Sequence, residues 1–78
     1  FTLFVKEEAV QDLTEAFDWY EHKQSGLGAE FLTEVDAFFE RILENPTRYQ
    51  YYRSQRIAIM NRFPFKIVYE VEQESIFV

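Results

Sequence analysis

The sequence predicts an α+β protein in which a hairpin of two amphipathic helices packs on a small antiparallel sheet. Three observations on its 78 residues support this prediction. Apolar residues recur at helical spacing in two segments of the first half, glycines lie between those segments, and segments rich in β-branched and aromatic residues follow. We therefore expect one domain, residues 1–78, with the element order β-α-α-β-β-β.

The first predicted elements are a short strand and a long helix. Residues 1–5 are apolar, aromatic or β-branched, which favours a buried strand. From Glu7 onward the apolar residues take helical spacing, and this helix is expected to run to about Gln24. Its apolar stripe consists of Ala9, Val10, Leu13, Ala16, Phe17 and Tyr20.

The second helix is predicted from a tight reversal before it and a proline after it. Gly26 and Gly28 supply the backbone angles that a tight reversal needs. Asn45 and Pro46 end the helix because proline cannot continue the hydrogen-bond ladder. Two amphipathic helices joined by a short link form an antiparallel hairpin, and its apolar face needs a second layer. The apolar stripe of this helix consists of Leu27, Phe31, Leu32, Val35, Phe38, Phe39, Ile42 and Leu43.

The second half of the chain supplies the strands of that layer. Residues 56–60 and 65–71 have the spacing of strands, and Pro64 between them limits pairing at its position. A polar turn at residues 72–75 precedes a last strand that begins at Ile76. We expect this incomplete last strand to leave an open sheet edge, which favours pairing between copies and thus a homo-oligomer.

The composition is sufficient for a core without covalent cross-links. Apolar residues make up 47% of the chain and aromatic residues 19%, and there is no cysteine. The lack of disulfides fits a reducing, cytoplasmic location. No apolar run reaches the roughly 20 residues that a membrane-spanning helix needs. The residues expected in the core and along the helical hairpin include Phe17, Trp19, Tyr20, Phe31, Phe38 and Phe39.

Charge is divided unevenly along the chain. The net charge is −6, yet residues 48–66 contain five basic side chains and no acidic one. Residues 1–47 contain three basic and eleven acidic side chains, and residues 67–78 contain three acidic ones. Solvated helix faces explain the acidic excess but not the basic segment, which therefore indicates a binding surface.

This basic segment is the candidate site. Arginine binds phosphates and carboxylates bidentately and stabilises developing negative charge, and tyrosine stacks on bases or donates a proton. Three uses are open: binding of a partner, cleavage of RNA, or pairing with the acidic helices of the same chain. The predicted partner-binding residues are Arg48, Tyr49, Tyr51, Tyr52, Arg53, Arg56, Arg62 and Lys66.

Other kinds of site find little support in the residue pattern. The one histidine, His22, has no nucleophile or acid at catalytic spacing, so we expect a solvated position on the first helix. The carboxylates have the spacing of helix surfaces rather than of a glycosidase pair. Gly26 and Gly28 join two helices and lack the lysine of a phosphate-binding loop. We expect no metal and no cofactor.

Taken in order, these features resemble the RelE/ParE family of bacterial toxins, the toxic halves of type II toxin–antitoxin or plasmid-stabilisation modules. The resemblance covers nearly the whole chain and is closest to the ParE-like branch. The residues that carry it are Ala9, Asp12, Leu13, Trp19, Tyr20, Gly26, Leu27, Gly28, Phe31, Ile42, Asn45, Pro46, Tyr49, Arg53, Arg56, Arg62, Phe63, Pro64, Phe65, Ile67 and Tyr69.

The resemblance implies a cytoplasmic toxin, held inactive by a cognate antitoxin that wraps over the helical hairpin and the sheet. ParE-like members poison DNA gyrase, whereas RelE-like members cleave messenger RNA in the ribosome. We expect a ParE-like toxin that binds a macromolecular target, with gyrase as one candidate. In the RelE-like alternative, Arg53, Arg56 or Arg62 would stabilise the cleavage transition state, and a tyrosine would assist proton transfer.

The sequence departs from the family pattern in one respect. Toxins of this family usually continue past the last strand with a tail that carries His, Tyr or Arg, and this sequence ends at Val78. We expect the domain to lack that tail, so a catalytic group normally placed there is not assigned. A truncated member that keeps the fold and antitoxin binding without toxicity is the third alternative.

Overall fold

The computed structural model describes all 78 residues and consists of two helices and a five-stranded sheet. The α+β class and the helical hairpin on a sheet are confirmed. Neither helix is both long and apolar enough to cross a membrane. The elements, in chain order, are β1 (Thr2–Phe4), α1 (Glu7–Lys23), α2 (Leu27–Glu44), β2 (Gln50–Tyr52), β3 (Gln55–Ile59), β4 (Lys66–Glu72) and β5 (Ser75–Phe77).

Strand β2 is an addition to the predicted order. Its three residues are all exposed, so they lack the alternation of buried and exposed positions that marks a half-buried strand. It is a strand because it pairs antiparallel with β3 across a turn at residues 53 and 54. Residue spacing alone gives no signal for a strand of this kind.

The sheet is mixed, whereas the sequence predicts a fully antiparallel one. Its order is β1-β5-β4-β3-β2, and β1 runs parallel to β5 while all other neighbours are antiparallel. Short connections between β2, β3, β4 and β5 impose antiparallel pairing, but β1 reaches β5 without such a constraint. Because β5 lies between β1 and β4, the open edge expected at the last strand is not there. The edges are β1 and β2.

The reversal between the helices has the form that the sequence predicts. Gly26 has φ of 88°, in the left-handed region that favours glycine. A Cβ atom on Gly28 would lie 2.8 Å from the main-chain oxygen of Phe17, so the two helices approach closely there. The Glu21 carboxylate accepts hydrogen bonds from N–H of Gly26 at 3.0 Å and of Gly28 at 2.8 Å. These bonds lower the pKa of Glu21 below its ordinary value of 4.5.

The core lies between α2 and the sheet. Tyr20 is the one buried residue of α1, whereas α2 buries four residues of its apolar stripe, Phe31, Val35, Phe38 and Ile42. Helix α1 therefore packs mainly on α2, and its remaining apolar residues are half-buried or exposed. The core residues are Tyr20, Phe31, Val35, Phe38, Ile42, Ala58, Met60, Phe63, Ile67, Tyr69 and Ile76.

Trp19 does not lie in the core, although the sequence predicts it there. Its side chain is 57% exposed. The indole packs edge-on against Tyr20, with 5.1 Å between ring centroids. Lys23 Nζ lies 4.7 Å from the centroid of the indole ring. Trp19 lies outside the apolar stripe of α1, so its ring remains at the surface.

Candidate partner-binding site

Strands β2 and β3 form a hairpin, the strand hairpin, that carries most of the predicted site. Arg53 and Ser54 form its two-residue turn, with φ of 50° and 70°. Positive φ at both turn positions is typical of a type I′ turn, whose twist fits a strand hairpin. Neither residue is glycine or asparagine, so two side chains are held where the backbone disfavours them.

Two cation–π pairs lie on the strand hairpin. Arg53 Cζ lies 5.2 Å from the ring centroid of Tyr52, and Arg56 Cζ lies 4.9 Å from that of Tyr51. Both rings remain more than half exposed, at 58% for Tyr51 and 52% for Tyr52. The strand hairpin thus presents one aromatic ring with one guanidinium group on each face, because successive residues of a strand point to opposite faces.

Arg56 also holds the loop that joins α2 to β2. Its side chain is half-buried, and its Nη1 donates hydrogen bonds to the main-chain oxygens of Tyr49 at 2.9 Å and Thr47 at 3.4 Å. The Tyr69 hydroxyl secures the same loop by donating to the Pro46 oxygen at 2.7 Å. Burial raises the pKa of Tyr69, although the charge of Arg56 opposes that change. Tyr69 is therefore a neutral phenol that acts as a donor.

A polar cleft lies beside the strand hairpin. It has a volume of about 170 Å³, and its lining includes Tyr51, Arg56 and Tyr69. Glu70 also lines it and accepts a long hydrogen bond, 3.4 Å, from Gln55 Nε2. Glu70 is thus the one carboxylate next to the basic residues of the hairpin, and it forms no ion pair with them.

Arg62 and Lys66 lie at the other end of β3. Arg62 pairs with Glu30 in the first turn of α2, and this is the only ion pair of the chain. Lys66 begins β4 at the same end. Strand β3 spans about 17 Å at the usual rise per residue. These two cations are therefore separated from Arg53 at the turn.

Arg48 and Arg53 have no ion-pair partner. Both are exposed, and Arg48 lies in the loop before β2. Beside it, Tyr49 is half-buried against Phe38, with 6.2 Å between ring centroids. Pairing with the chain's own acidic helices therefore accounts for Arg62 alone. The structure places Tyr51, Tyr52, Arg53 and Arg56 on the strand hairpin and Arg48 and Tyr49 in the loop before it, whereas Arg62 and Lys66 lie at the other end of β3.

The three candidate catalytic arginines do not converge. Arg53 is in the hairpin turn, Arg56 binds main-chain oxygens, and Arg62 is paired with Glu30. The one histidine, His22, lies exposed on α1, where its Nδ1 is 2.7 Å from the Asp18 main-chain oxygen. The arrangement therefore offers a charged contact surface rather than groups aimed at one reacting atom.

A second surface lies on the opposite layer of the molecule. A groove of about 230 Å³ runs between α1 and α2, and we name it the helical groove. Val10 and Leu32 line it and are 49% and 37% exposed. Both residues belong to the apolar stripes predicted from the sequence, but the sequence does not identify the groove that they line. The breadth of the two stripes is the one sequence feature that indicates apolar surface beyond the core. The lining consists of Val10, Leu13, Thr14, Phe17 and Leu32.

The chain thus has a two-layer α+β fold with two open surfaces, one basic and aromatic and one apolar. Comparison with protein families identifies the family. The model of the ParE toxin of type II toxin–antitoxin systems, parDE, matches residues 3–78, and the chain belongs to this family. The resemblance drawn from the sequence is thereby confirmed, and membership implies an antitoxin partner. Curated proteins and solved structures gave no match.

Proposed function

We propose that this chain is a ParE-like toxin that binds a macromolecular target through the strand hairpin. The family match over residues 3–78 supports a toxin with an antitoxin partner. Target binding rests on one observation: exposed Arg53 has no ion-pair partner and its Cζ lies 5.2 Å from the ring centroid of Tyr52, and exposed Arg48, also without such a partner, precedes the same strand. Unpaired cations with aromatic rings favour contact with an anionic surface. In this proposal the toxin acts in the cytoplasm.

The antitoxin, in this proposal, occupies the helical groove. Val10 and Leu32 expose apolar surface there, and such patches on small proteins mark interaction sites. Asp18 follows Thr14, and Asp36 follows Leu32, by one helical turn, so carboxylates flank the groove. An amphipathic segment with apolar and basic side chains complements this surface.

DNA gyrase is the proposed target, because ParE-like toxins are the branch that the chain resembles. The positions of the arginines favour binding over RNA cleavage. Stabilising a transition state requires donors aimed at one developing charge, and Arg53, Arg56 and Arg62 lie at three different places. Supercoiling by purified gyrase in the presence of this chain, beside ribosome-dependent cleavage of messenger RNA, separates the two activities. Cleavage without gyrase inhibition would contradict the proposal.

Growth of bacteria that express the chain tests the toxin assignment. We expect growth arrest, and we expect co-expression of the small protein encoded beside it to restore growth. The double variant Arg48→Glu/Arg53→Glu should abolish arrest while it still binds that small protein. The matched control Lys23→Glu/Arg41→Glu changes the charge equally but leaves the strand hairpin intact, so it should remain toxic. Absence of both arrest and complex formation would defeat the proposal.

A further inference from the structure

The outer side of β2, the β2 edge, is an unpaired strand edge. Strand β2 is last in the sheet order and pairs only with β3. Residues of antiparallel strands alternate between pairs that exchange hydrogen bonds and pairs that do not. The residues that flank a two-residue turn, here Tyr52 and Gln55, exchange them. The N–H and C=O of Tyr51 therefore point away from β3, where a further strand could bind them.

The two faces beside the β2 edge differ in chemistry. Tyr51 lies opposite Arg56, so these two side chains share one face of the sheet. Gln50 lies opposite Ile57, and Tyr52 shares their face. A strand added to β2 places its side chains alternately on these faces. The face of Arg56 favours an acidic side chain, and the face of Ile57 and Tyr52 favours an apolar one.

Charge decides which occupant fits. No carboxylate occurs in residues 48–66, and Arg48 and Arg53, which flank β2, have no ion-pair partner. A second copy of this chain would bring like charges together at the edge, which disfavours self-pairing. Strand β2 also contains no proline or lysine, the residues that commonly protect strand edges. An acidic strand is the complementary partner.

The turn of the strand hairpin supports the same conclusion. Arg53 and Ser54 both have positive φ, and backbone strain of this kind clusters at functional sites. An arginine at this position places a charge at the end of the β2 edge. The Tyr49 oxygen, further along, already accepts a hydrogen bond from Arg56, so the free edge is short.

We infer that the β2 edge binds an extended acidic segment of a partner protein by antiparallel strand addition. The segment alternates acidic and apolar residues, and an acidic residue lies opposite Tyr51. This inference deepens the proposed target binding, and it rests on the strand hairpin being the contact surface of that function. Binding of such a segment to the β2 edge can nevertheless be measured with the purified protein, without any growth phenotype.

The test uses a capped nine-residue peptide of alternating Glu and Val with the isotope-labelled chain, followed by nuclear magnetic resonance. We expect the amide signals of residues 49–54 to shift and exchange of the Tyr51 amide proton to slow. Replacing every Glu of the peptide by Lys should weaken binding by at least about tenfold, because attraction to the arginines beside the β2 edge becomes repulsion. Equal binding of the lysine peptide would overturn the inference.

Backbone methylation of the peptide tests strand addition itself. In antiparallel pairing the residue opposite Tyr51 exchanges both hydrogen bonds with it, and that residue is acidic. N-methylation of the Glu residues should therefore abolish binding, whereas N-methylation of the Val residues should leave most of it. Binding that survives methylation of Glu overturns the inference, and so does a shift pattern confined to the helical groove.

Protein variants and a nucleic-acid probe complete the test. Arg48→Glu/Arg53→Glu should weaken peptide binding at least about tenfold, and Lys23→Glu/Arg41→Glu should not. Stronger binding of a single-stranded oligothymidylate to the same amides would assign the edge to nucleic acid and overturn the inference. Peptide binding by a chain that does not arrest growth would support the inference and contradict the proposed function. Growth arrest without peptide binding would contradict the inference and support the proposed function.

Discussion

The helical hairpin and the strand hairpin reverse the chain in different ways. Between the helices, Gly26 adopts φ of 88° and the carboxylate of Glu21 caps the turn. Between the strands, Arg53 and Ser54 adopt positive φ without glycine. The first hairpin is anchored by buried residues such as Phe31, and the second is exposed throughout β2. In the buried helical hairpin, the residue with positive φ is glycine, the type that favours this conformation. In the exposed strand hairpin, positive φ falls on residue types that disfavour it.

The sharpest test of this difference removes one aromatic ring from each hairpin. Phe31 is fully buried, with rings of Tyr20, Phe63 and Phe65 within 5.3 Å. Phe31→Ala should lower the free energy of unfolding by about 3–5 kcal/mol through the lost burial and the cavity left behind. Tyr52→Ala on the strand hairpin should change it by less than about 1 kcal/mol. Urea unfolding followed by circular dichroism measures both, and similar losses would contradict the comparison.

The close approach of the helices gives the next largest effect. Gly28→Ala places a methyl group 2.8 Å from the Phe17 oxygen, which can retreat only by moving the backbone of α1. We expect a loss of about 2–3 kcal/mol in thermal or urea unfolding. Gly26→Asn is the control, since nothing lies near its Cβ and asparagine tolerates the left-handed region. This variant should lower the free energy of unfolding by a few tenths of a kcal/mol. A larger loss for Gly26→Asn than for Gly28→Ala would contradict the close approach of the helices at Gly28.

The strand turn should respond in the opposite direction. Ser54→Gly removes the Cβ from a residue with φ of 70°, and the variant should gain about 1 kcal/mol. The melting temperature should rise accordingly, by several degrees. Gly26→Ser, the reciprocal exchange in the helical hairpin, should lower it. No gain in Ser54→Gly would show that the turn is not strained.

The smallest effect concerns the cap of the helical hairpin and depends on pH. Hydrogen bonds from Gly26 and Gly28 lower the pKa of Glu21 below 4.5, so its carboxylate stabilises the fold fully above that pH. This stabilisation is lost as pH falls from 4.5 through the lowered value. The difference in unfolding free energy between the native chain and Glu21→Gln should therefore be constant near pH 7 and shrink in acid. Glu40→Gln, at an exposed position of α2, should give no such trend.

Much of the fold could be predicted from residue pattern alone. The apolar spacing of α1 and α2 is long and regular, and Gly26 and Pro46 mark where the chain turns. Strand β4 was predictable because apolar residues recur at every second position from Phe65 to Val71. These signals are local, and burial on one face enforces them.

The candidate site was less predictable, because its geometry depends on contacts distant in sequence. The charge pattern identified the basic segment but not that Arg62 pairs with Glu30, a residue 32 positions earlier. Nor could it show that Arg56 turns inward to the Tyr49 oxygen. Trp19 is aromatic but lies outside the apolar stripe of α1, so its residue type alone wrongly predicts a core position. Strand β2 has no apolar period at all.

The parallel pair of β1 and β5 has a consequence for synthesis of the protein. Within the sheet β1 pairs only with β5, and Thr2 N–H donates a hydrogen bond to the Glu74 main-chain oxygen. During translation, residues 2–4 can therefore pair only after residues 74–78 have left the ribosome. Closing so long a loop slows folding, whereas the helices form from local contacts. A nascent chain arrested before β5 should display the helical groove while the sheet is still incomplete.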